Sequence, residues 1–197
     1  MIFTAERDDS DELIRSKIID FYESGAYIRE TAKLLAQIKT QILALPRSAD
    51  DIIILDVDET ALHSYEFIKG MDFGFFPERW NEWIHAGNIP ANEPVLEFYN
   101  SMRQQDYTFL FLTGRLTHYG ENTKKNLIRA GYNNGEELIL RETYQDGMDA
   151  WEFKSGARKQ LTKQGYRILG NIGDQMSDVT GGYSAYHVRL PNLLYIV

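Results

Sequence analysis

The sequence of 197 residues contains no cysteine. This absence excludes a disulfide scaffold, a thiolate zinc site, an iron–sulfur cluster and a cysteine nucleophile. Long apolar runs are also missing, because no segment approaches the roughly 18 consecutive apolar residues that a membrane-spanning helix needs. Residues 1–9 lack the basic segment and the apolar stretch of a signal peptide, so the sequence predicts no particular compartment.

Positive charge is scarce as well. The 21 lysines and arginines face 29 aspartates and glutamates, for a net charge of −8, which disfavours a broad surface for binding a nucleic-acid polymer. An anionic small molecule would therefore have to be attracted by a local site. No metal-ligand spacing connects the four histidines, which are His63, His85, His118 and His187.

Apolar patterning predicts one α/β domain over residues 1–197. Five short apolar runs predict strands, at 52–55, 107–112, 138–140, 166–172 and 185–190. Runs without polar alternation are typical of strands that are buried on both faces, as in a parallel sheet. Because helical patterns separate these runs, we expect right-handed βαβ units and a doubly wound, three-layer Rossmann-like core with about five strands.

Two segments lie outside this alternation. The first is a helical extension at about 10–46, which ends at Pro46 and whose predicted core-facing stripe is Ile28, Leu35, Ile38, Ile42 and Leu45. The second, at about 63–93, is too long for an ordinary loop and is rich in aromatic residues, namely Phe67, Phe73, Phe75, Phe76, Trp80 and Trp83. It predicts a small cap insert that forms an aromatic satellite core, a lid, or both.

Polar segments follow three of the predicted strands. They are 56–60 (DVDET), 113–115 (TGR) and 173–178 (GDQMSD). In an open α/β sheet the carboxyl ends of the strands meet at one edge, where ligands bind. Carboxylates crowded there would raise one another's pKa values unless a cation lies among them, and oxygen ligands without cysteine or clustered histidine suit Mg²⁺. The sequence therefore predicts a magnesium site that can accept an anionic substrate.

The Asp-x-Asp pair can be interpreted in two ways. One carboxylate can act as a nucleophile on phosphorus while its neighbour protonates the leaving oxygen and later deprotonates water. Alternatively, acidic residues at a helix N-terminus only cap the helix or complement its dipole. The pair by itself leaves both interpretations open.

Four motifs together resemble those of the haloacid dehalogenase (HAD) superfamily of phosphotransferases. They are 56–60 (DVDET), 113–115 (TGR), Lys154 within 153–159 (FKSGARK), and 173–178 (GDQMSD). A narrower resemblance is to the acid phosphatase branch, subfamily IIIB, which includes bacterial lipoprotein acid phosphatases and plant vegetative storage proteins. It is carried by 58–62 (DETAL), 22–27 (YESGAY) and 190–192 (LPN).

This chain departs from that branch in two respects. It has His63 where many relatives have asparagine, and it lacks the lipoprotein cysteine. Members of the branch are often periplasmic or exported, but residues 1–9 do not have the pattern of a signal peptide.

The resemblance implies a role for each motif residue. Asp56 would be the nucleophile and a metal ligand, and Asp58 the general acid/base, with its backbone carbonyl on the metal. Thr113 and the amide of Gly114 would hold phosphoryl oxygens.

The two later motifs would complete the site. Lys154 would balance the charge of Asp56 and of the phosphoryl group. Asp174 would bind the metal directly, and Asp178 would bind it through water or anchor Lys154.

The implied activity is that of a Mg²⁺-dependent phosphomonoesterase, acid phosphatase-like, that acts on small phosphomonoesters such as nucleoside monophosphates through an aspartyl-phosphate. Two alternatives remain, a phosphotransferase of the same superfamily and an inert storage or binding protein on the same fold. Side chains of the cap region could stack on the leaving group or could only pack against one another. The candidates for contact with the substrate are His63, Trp80 and Trp83.

Overall fold

A five-stranded parallel sheet forms the centre of the computed structural model, which describes residues 9–74 and 76–195. Its strands, with spatial order β3-β2-β1-β4-β5, are β1 (Asp51–Leu55), β2 (Thr108–Leu116), β3 (Glu137–Arg141), β4 (Arg167–Gly173) and β5 (Tyr186–Arg189). All neighbouring pairs are parallel, which confirms the predicted α/β class. Each predicted strand overlaps an observed one, and the main difference is that β2 continues through 113–115.

Helices cover both faces of the sheet. They are α1 (Asp9–Glu23), α2 (Ala26–Leu43), α3 (Tyr65–Gly70), α4 (Pro77–Ala86), α5 (Glu93–Arg103), α6 (Gly120–Arg129), α7 (Ala150–Lys163) and α8 (Met176–Val179). None of them, within the described part of the chain, is both long and apolar enough to cross a membrane.

The alternation of side chains along the buried strands creates two cores. Ile53 and Leu55 of β1 face a large core formed with helices α2, α5 and α6, whereas Ile52 and Ile54 face a smaller core that includes Phe153 of α7. Residues of a strand point alternately to opposite faces, so an unbroken apolar run is required where both faces are covered. Because both faces of β1 are packed, the strand cannot shift along its axis. The position of residue 56, which directly follows β1, is thereby fixed.

The buried face of α2 differs from the predicted stripe at its first position. Ile28 is 41% exposed, and the stripe begins at Tyr27. Successive helix residues are rotated by about 100°, so the face defined by Tyr27, Leu35 and Ile38 turns Ile28 toward solvent. The helix itself ends at Leu43, and Leu45 packs against the core beyond it.

Residues 63–93 leave the core and return to it at nearly the same point. An isolated bridge pairs Leu62 with Ala91, and the His63 amide donates to the Pro90 carbonyl at 3.0 Å. Between these ends lie α3 and α4. Phe67 stacks on Trp83 with ring centroids 4.1 Å apart, so the expected aromatic packing is present; Phe75 lies outside the described residues. Movement of this segment as a lid stays a prediction.

An ion pair between a buried aspartate and a partly exposed arginine joins β1 and β4 at the edge opposite to the carboxyl ends of the strands. The Asp51 carboxylate, at the start of β1, accepts hydrogen bonds from Arg167 Nε at 2.6 Å, Arg167 Nη2 at 2.8 Å and the Ser48 amide at 2.8 Å. Burial would raise the pKa of Asp51, but the bonds from Arg167 and Ser48 outweigh it and hold the pKa below its ordinary value.

We expect Asp51→Asn to lower the free energy of unfolding by about 1–2 kcal/mol at pH 7, because hydrogen bonds to a charged acceptor are lost. A depressed folded pKa contributes stability above the unfolded pKa of about 4, and this contribution disappears as the pH falls. The difference from wild type, measured by urea unfolding, should therefore shrink at pH 3. Asp50→Asn, at an exposed neighbour, is the control, and an equal difference at both pH values would contradict the assignment.

Candidate active site

The carboxyl edge of the sheet gathers buried polar side chains from separate segments. Asp56 directly follows β1, Thr113 lies in the last part of β2, and Asp174 directly follows β4; all three are buried. The Asp56 amide donates to the Ile172 carbonyl at 2.9 Å, which joins the loop after β1 to the neighbouring strand. This arrangement follows from the parallel sheet, because every strand delivers its next residue to the same edge.

Three carboxylates cluster at this edge, and one amine binds two of them. Oxygen atoms of Asp56, Asp174 and Asp178 lie within 4.8 Å of one another. Lys154, from α7, donates to Asp56 Oδ1 at 2.6 Å and also to Asp178 Oδ1. Lys154 lies in the second turn of α7, which begins at Ala150.

Burial dominates the electrostatics of this cluster. It raises the pKa of Asp56 well above its ordinary value, since the opposing attraction of Lys154 does not offset burial and the repulsion of Asp178 and Asp174. Burial and then Asp178 raise the pKa of Asp174 to about 6. Burial alone would lower the pKa of Lys154, but Asp56 and Asp178 raise it above its ordinary value. The lysine is therefore charged, and the cluster retains an excess of negative charge.

Asp174 is oriented by three side-chain donors. Its Oδ2 accepts from Asn192 Nδ2 at 2.7 Å and from Gln175 Nε2 at 2.5 Å, and its Oδ1 accepts from Thr60 Oγ1 at 3.3 Å. Gln175 is the next residue in the chain, whereas Thr60 and Asn192 belong to other segments. The carboxylate is thus fixed before any ligand binds.

Arg158 holds the loop that carries Asp178. Its side chain is fully buried, and its guanidinium donates to the carbonyls of Asp178 (2.9 Å), Gly182 (3.1 Å) and Thr180. Asn171 also donates to the Asp178 carbonyl. Burial, with no carboxylate bonded to it, lowers the pKa of Arg158 below its ordinary value, although the nearby Asp178 partly opposes this.

We expect Arg158→Met to lower the free energy of unfolding by about 2–4 kcal/mol, because buried carbonyls lose their donor. Urea unfolding would measure this loss. Lys159→Met, at an exposed position on the same helix, is the matched control. Equal stability of Arg158→Met and wild type would show that these bonds contribute nothing to the fold.

Asp58 faces a different partner from Asp56. Arg115 Nε donates to Asp58 Oδ2 at 2.9 Å and Nη2 donates to Oδ1 at 2.6 Å, while Nη1 donates to Thr123 Oγ1 of α6 at 3.0 Å. Burial would lower the pKa of Arg115, but Asp58 raises it. The carboxylate of Asp58 therefore lies apart from the three clustered acids, and the predicted use of its backbone carbonyl as a metal ligand stays a prediction.

Glu59 connects the loop after β1 to the base of the cap segment, residues 63–93. Its carboxylate accepts hydrogen bonds from the Ser64 amide, at 3.1 Å, and from the Ser64 hydroxyl. A carboxylate oxygen of Glu59 also lies 2.9 Å from His63 Nδ1. The His63 ring stacks on Tyr27, with centroids 4.8 Å apart and planes at 5°. Glu59 has a φ of 54°, in the left-handed region that residues other than glycine rarely adopt.

The two candidate tryptophans lie within the cap segment. Trp83 stacks on Phe67, and the centroid of Trp80 lies 5.6 Å from that of Trp83. Tyr119, just after β2, donates to Asn81 Oδ1 of α4 at 2.6 Å and so connects the cap segment to the second motif strand. Contact of Trp80, Trp83 or His63 with a substrate stays a prediction.

The sequence did not single out several residues of the site. Arg115 and Asn192 lie in two of the motifs that carry the family resemblance, 113–115 and 190–192, so these motifs could have identified them as site residues. Arg158 also lies in a quoted motif, but its burial among carbonyls has no sequence signature. The same holds for the left-handed backbone of Glu59.

The match to a protein family is decisive at this point. The family model described as HAD superfamily, subfamily IIIB (Acid phosphatase), matches residues 10–197. The chain belongs to this family. The resemblance found in the motifs is thereby confirmed.

Two curated plant proteins are similar to this subfamily IIIB chain. "Stem 28 kDa glycoprotein" of Glycine max is 35% identical over 153 residues, 75% of this chain and 60% of that protein. "Acid phosphatase 1" of Solanum lycopersicum is 33% identical over 151 residues, 75% of this chain and 59% of that protein. The matched regions thus cover about three fifths of the length of these relatives.

A solved bacterial structure shares the subfamily IIIB fold. The class C acid phosphatase from Bacillus anthracis superposes with a TM-score of 0.75, covering 95% of this chain and 86% of that one. The sequences are 18% identical, so this likeness shows the fold alone.

Proposed function

We propose that this protein is a magnesium-dependent phosphomonoesterase that forms an aspartyl-phosphate on Asp56. The observation that supports it most directly is the buried cluster in which Lys154 bonds Asp56 and Asp178, beside Asp174, at the carboxyl edge of the sheet. Plant relatives that include an acid phosphatase, and the acid phosphatase family match, support the same class of reaction.

Asp56 would attack phosphorus through its carboxylate. Lys154 bonds Oδ1, which orients the carboxylate and leaves Oδ2 as the oxygen we assign to the attack. The Oδ2–P bond forms, the bond from phosphorus to the ester oxygen breaks, and Asp58 supplies the proton to the leaving alcohol. Water then attacks phosphorus, Asp58 takes its proton, and cleavage of the Oδ2–P bond releases phosphate.

The clustered oxygens fit a divalent cation. Three buried carboxylates face a single lysine, so the site carries uncompensated negative charge, and its ligand atoms are all oxygens. Asp56 and Asp174 would hold Mg²⁺ directly and Asp178 through water, with the Asp58 carbonyl as a further ligand. The ion would stabilise the charge that develops on the phosphoryl oxygens.

Thr113 and the Gly114 amide would bind the non-bridging phosphoryl oxygens. The proposed substrates are small phosphomonoesters, nucleoside monophosphates among them. His63, Trp80 and Trp83 are the proposed contacts for the leaving group.

We expect Asp56→Asn to reduce kcat for 4-nitrophenyl phosphate by roughly 10³-fold or more, because the amide cannot form the covalent intermediate. Circular dichroism should show an unchanged fold. Asp20→Asn, an exposed change of the same kind on α1, is the control. A near-normal kcat in Asp56→Asn would refute the nucleophile; wild-type protein without metal-dependent hydrolysis would favour the inert alternative, and transfer to an added alcohol instead of water would favour the phosphotransferase.

Removal of divalent cations with EDTA should abolish hydrolysis, and Mg²⁺ should restore it. Mg²⁺ should also raise the melting temperature, with a stabilisation of about 2.7 kcal/mol at a hundredfold excess over Kd, and Asp174→Asn should reduce this effect. Because the pKa of Asp174 is raised to about 6 without metal, protons compete with the ion and the apparent Kd should increase below pH 6. Full activity in EDTA would contradict the metal assignment.

A further inference from the structure

Arg141 lies beside the phosphate-binding motif of β2. It is the last residue of β3, and it pairs with Leu116, whereas the preceding pair joins Leu112 to Ile139. Four steps along β2 therefore match two along β3, and the extra length is the 113–115 segment, which bulges from the sheet. Bulges next to sites commonly redirect side chains or backbone groups, and here Arg141 is where regular pairing resumes.

The guanidinium of Arg141 points over this bulge. A methyl group built on Gly114 would lie 3.8 Å from Arg141 Nη2, at van der Waals contact, so the guanidinium lies directly beside Gly114. The guanidinium carbon lies 5.5 Å from the centroid of Phe153, the residue before Lys154. Arg141 thus lies between Gly114, which would hold the reacting phosphoryl group, and Phe153 of α7.

Arg141 also differs from three other arginines on or next to the sheet. Arg115 and Arg167 bond carboxylates, and Arg158 bonds three carbonyls. Among the residues that the structure describes, Arg141 has no ion-pair partner, and its Nε atom is buried without a hydrogen-bond acceptor. A buried donor without an acceptor costs about 1–3 kcal/mol, so an acceptor that reaches this guanidinium gains more than one that meets a guanidinium already paired.

An anionic oxygen group is the acceptor that best suits this position. A planar guanidinium binds phosphate through two parallel N–H donors. The reacting phosphoryl group would already be bound by Lys154, Thr113 and Gly114. Since β3 lies two strand spacings, about 10 Å, from the strand that carries Asp56, Arg141 is placed for a group beside the reacting one.

We propose that Arg141 binds a second phosphate group of the substrate, so that the protein favours small molecules with two phosphates over those with one. This inference rests on the proposed phosphomonoesterase function and names its substrate class. In an acidic chain of net charge −8, such a cation also counteracts the repulsion that a second anionic group would meet.

The test compares adenosine 3′,5′-bisphosphate with adenosine 5′-monophosphate, with 4-nitrophenyl phosphate as the reference substrate. Wild type should show a kcat/KM roughly 10- to 100-fold higher for the bisphosphate, the range expected for charge-assisted hydrogen bonds. Arg141→Met should remove this preference and keep kcat/KM for 4-nitrophenyl phosphate within about threefold of wild type. Arg141→Lys keeps the positive charge but lacks the two parallel N–H donors, so it should retain part of the preference. This variant replaces Arg141→Met in the test if Arg141→Met fails to fold.

The control is Arg29→Met on α2, which changes the net charge equally at a distant site and should leave the preference unchanged. Equal kcat/KM for both nucleotides in wild type, or an unchanged preference in Arg141→Met and Arg141→Lys, would overturn the inference while aryl phosphate hydrolysis upholds the proposed function. If wild type hydrolyses none of the three, the proposed function fails, and calorimetric titration with the same nucleotides decides the subsite. The subsite is supported if wild type binds the bisphosphate more tightly than the monophosphate and Arg141→Met abolishes this difference. Equal binding of the two nucleotides by wild type overturns it.

Discussion

The repulsion among three buried carboxylates is the constraint on which this site depends. Asp56, Asp174 and Asp178 are each almost fully buried, and Lys154 is the cation placed between two of them. Burial of charge is unfavourable unless the charges are paired and hydrogen-bonded. One amine cannot neutralise three acids, so the same arrangement that strains the protein alone gives a divalent cation a strong electrostatic reason to bind.

The surrounding fold keeps the acids in position by anchoring each segment separately. Asp56 is fixed through its amide to Ile172 of β4, Asp174 through Asn192, and the Asp178 carbonyl through Arg158. The two cores on either side of β1 prevent the central strand from shifting. Groups held in this way need little reorganisation when charge develops on a substrate, which is the main source of electrostatic stabilisation in enzymes.

The parts of the structure that could be predicted are those that leave a local pattern in the sequence. Buried strands are continuous apolar runs, and the rule that parallel strands end at one edge was enough to group Asp56 with Asp174. Contacts that depend on the rotation of a helix about its axis were not predictable. In α2, Tyr27 lies on the buried face and Ile28 is therefore exposed. The pairing of Arg115 with Asp58 likewise joins residues 57 positions apart, and the irregular register of β2 beside Arg115 has no local sequence pattern.

Neighbouring residues of the first motif are bound to opposite sides of the site. Asp58 is held by Arg115, which is itself bonded to α6 through Thr123, whereas Glu59 is held by Ser64 at the start of the cap segment. The left-handed backbone of Glu59 turns the chain between these two directions. The hydrogen bonds that hold the Asp58 carboxylate and those that hold the base of the cap segment are therefore made by adjacent residues of the first motif.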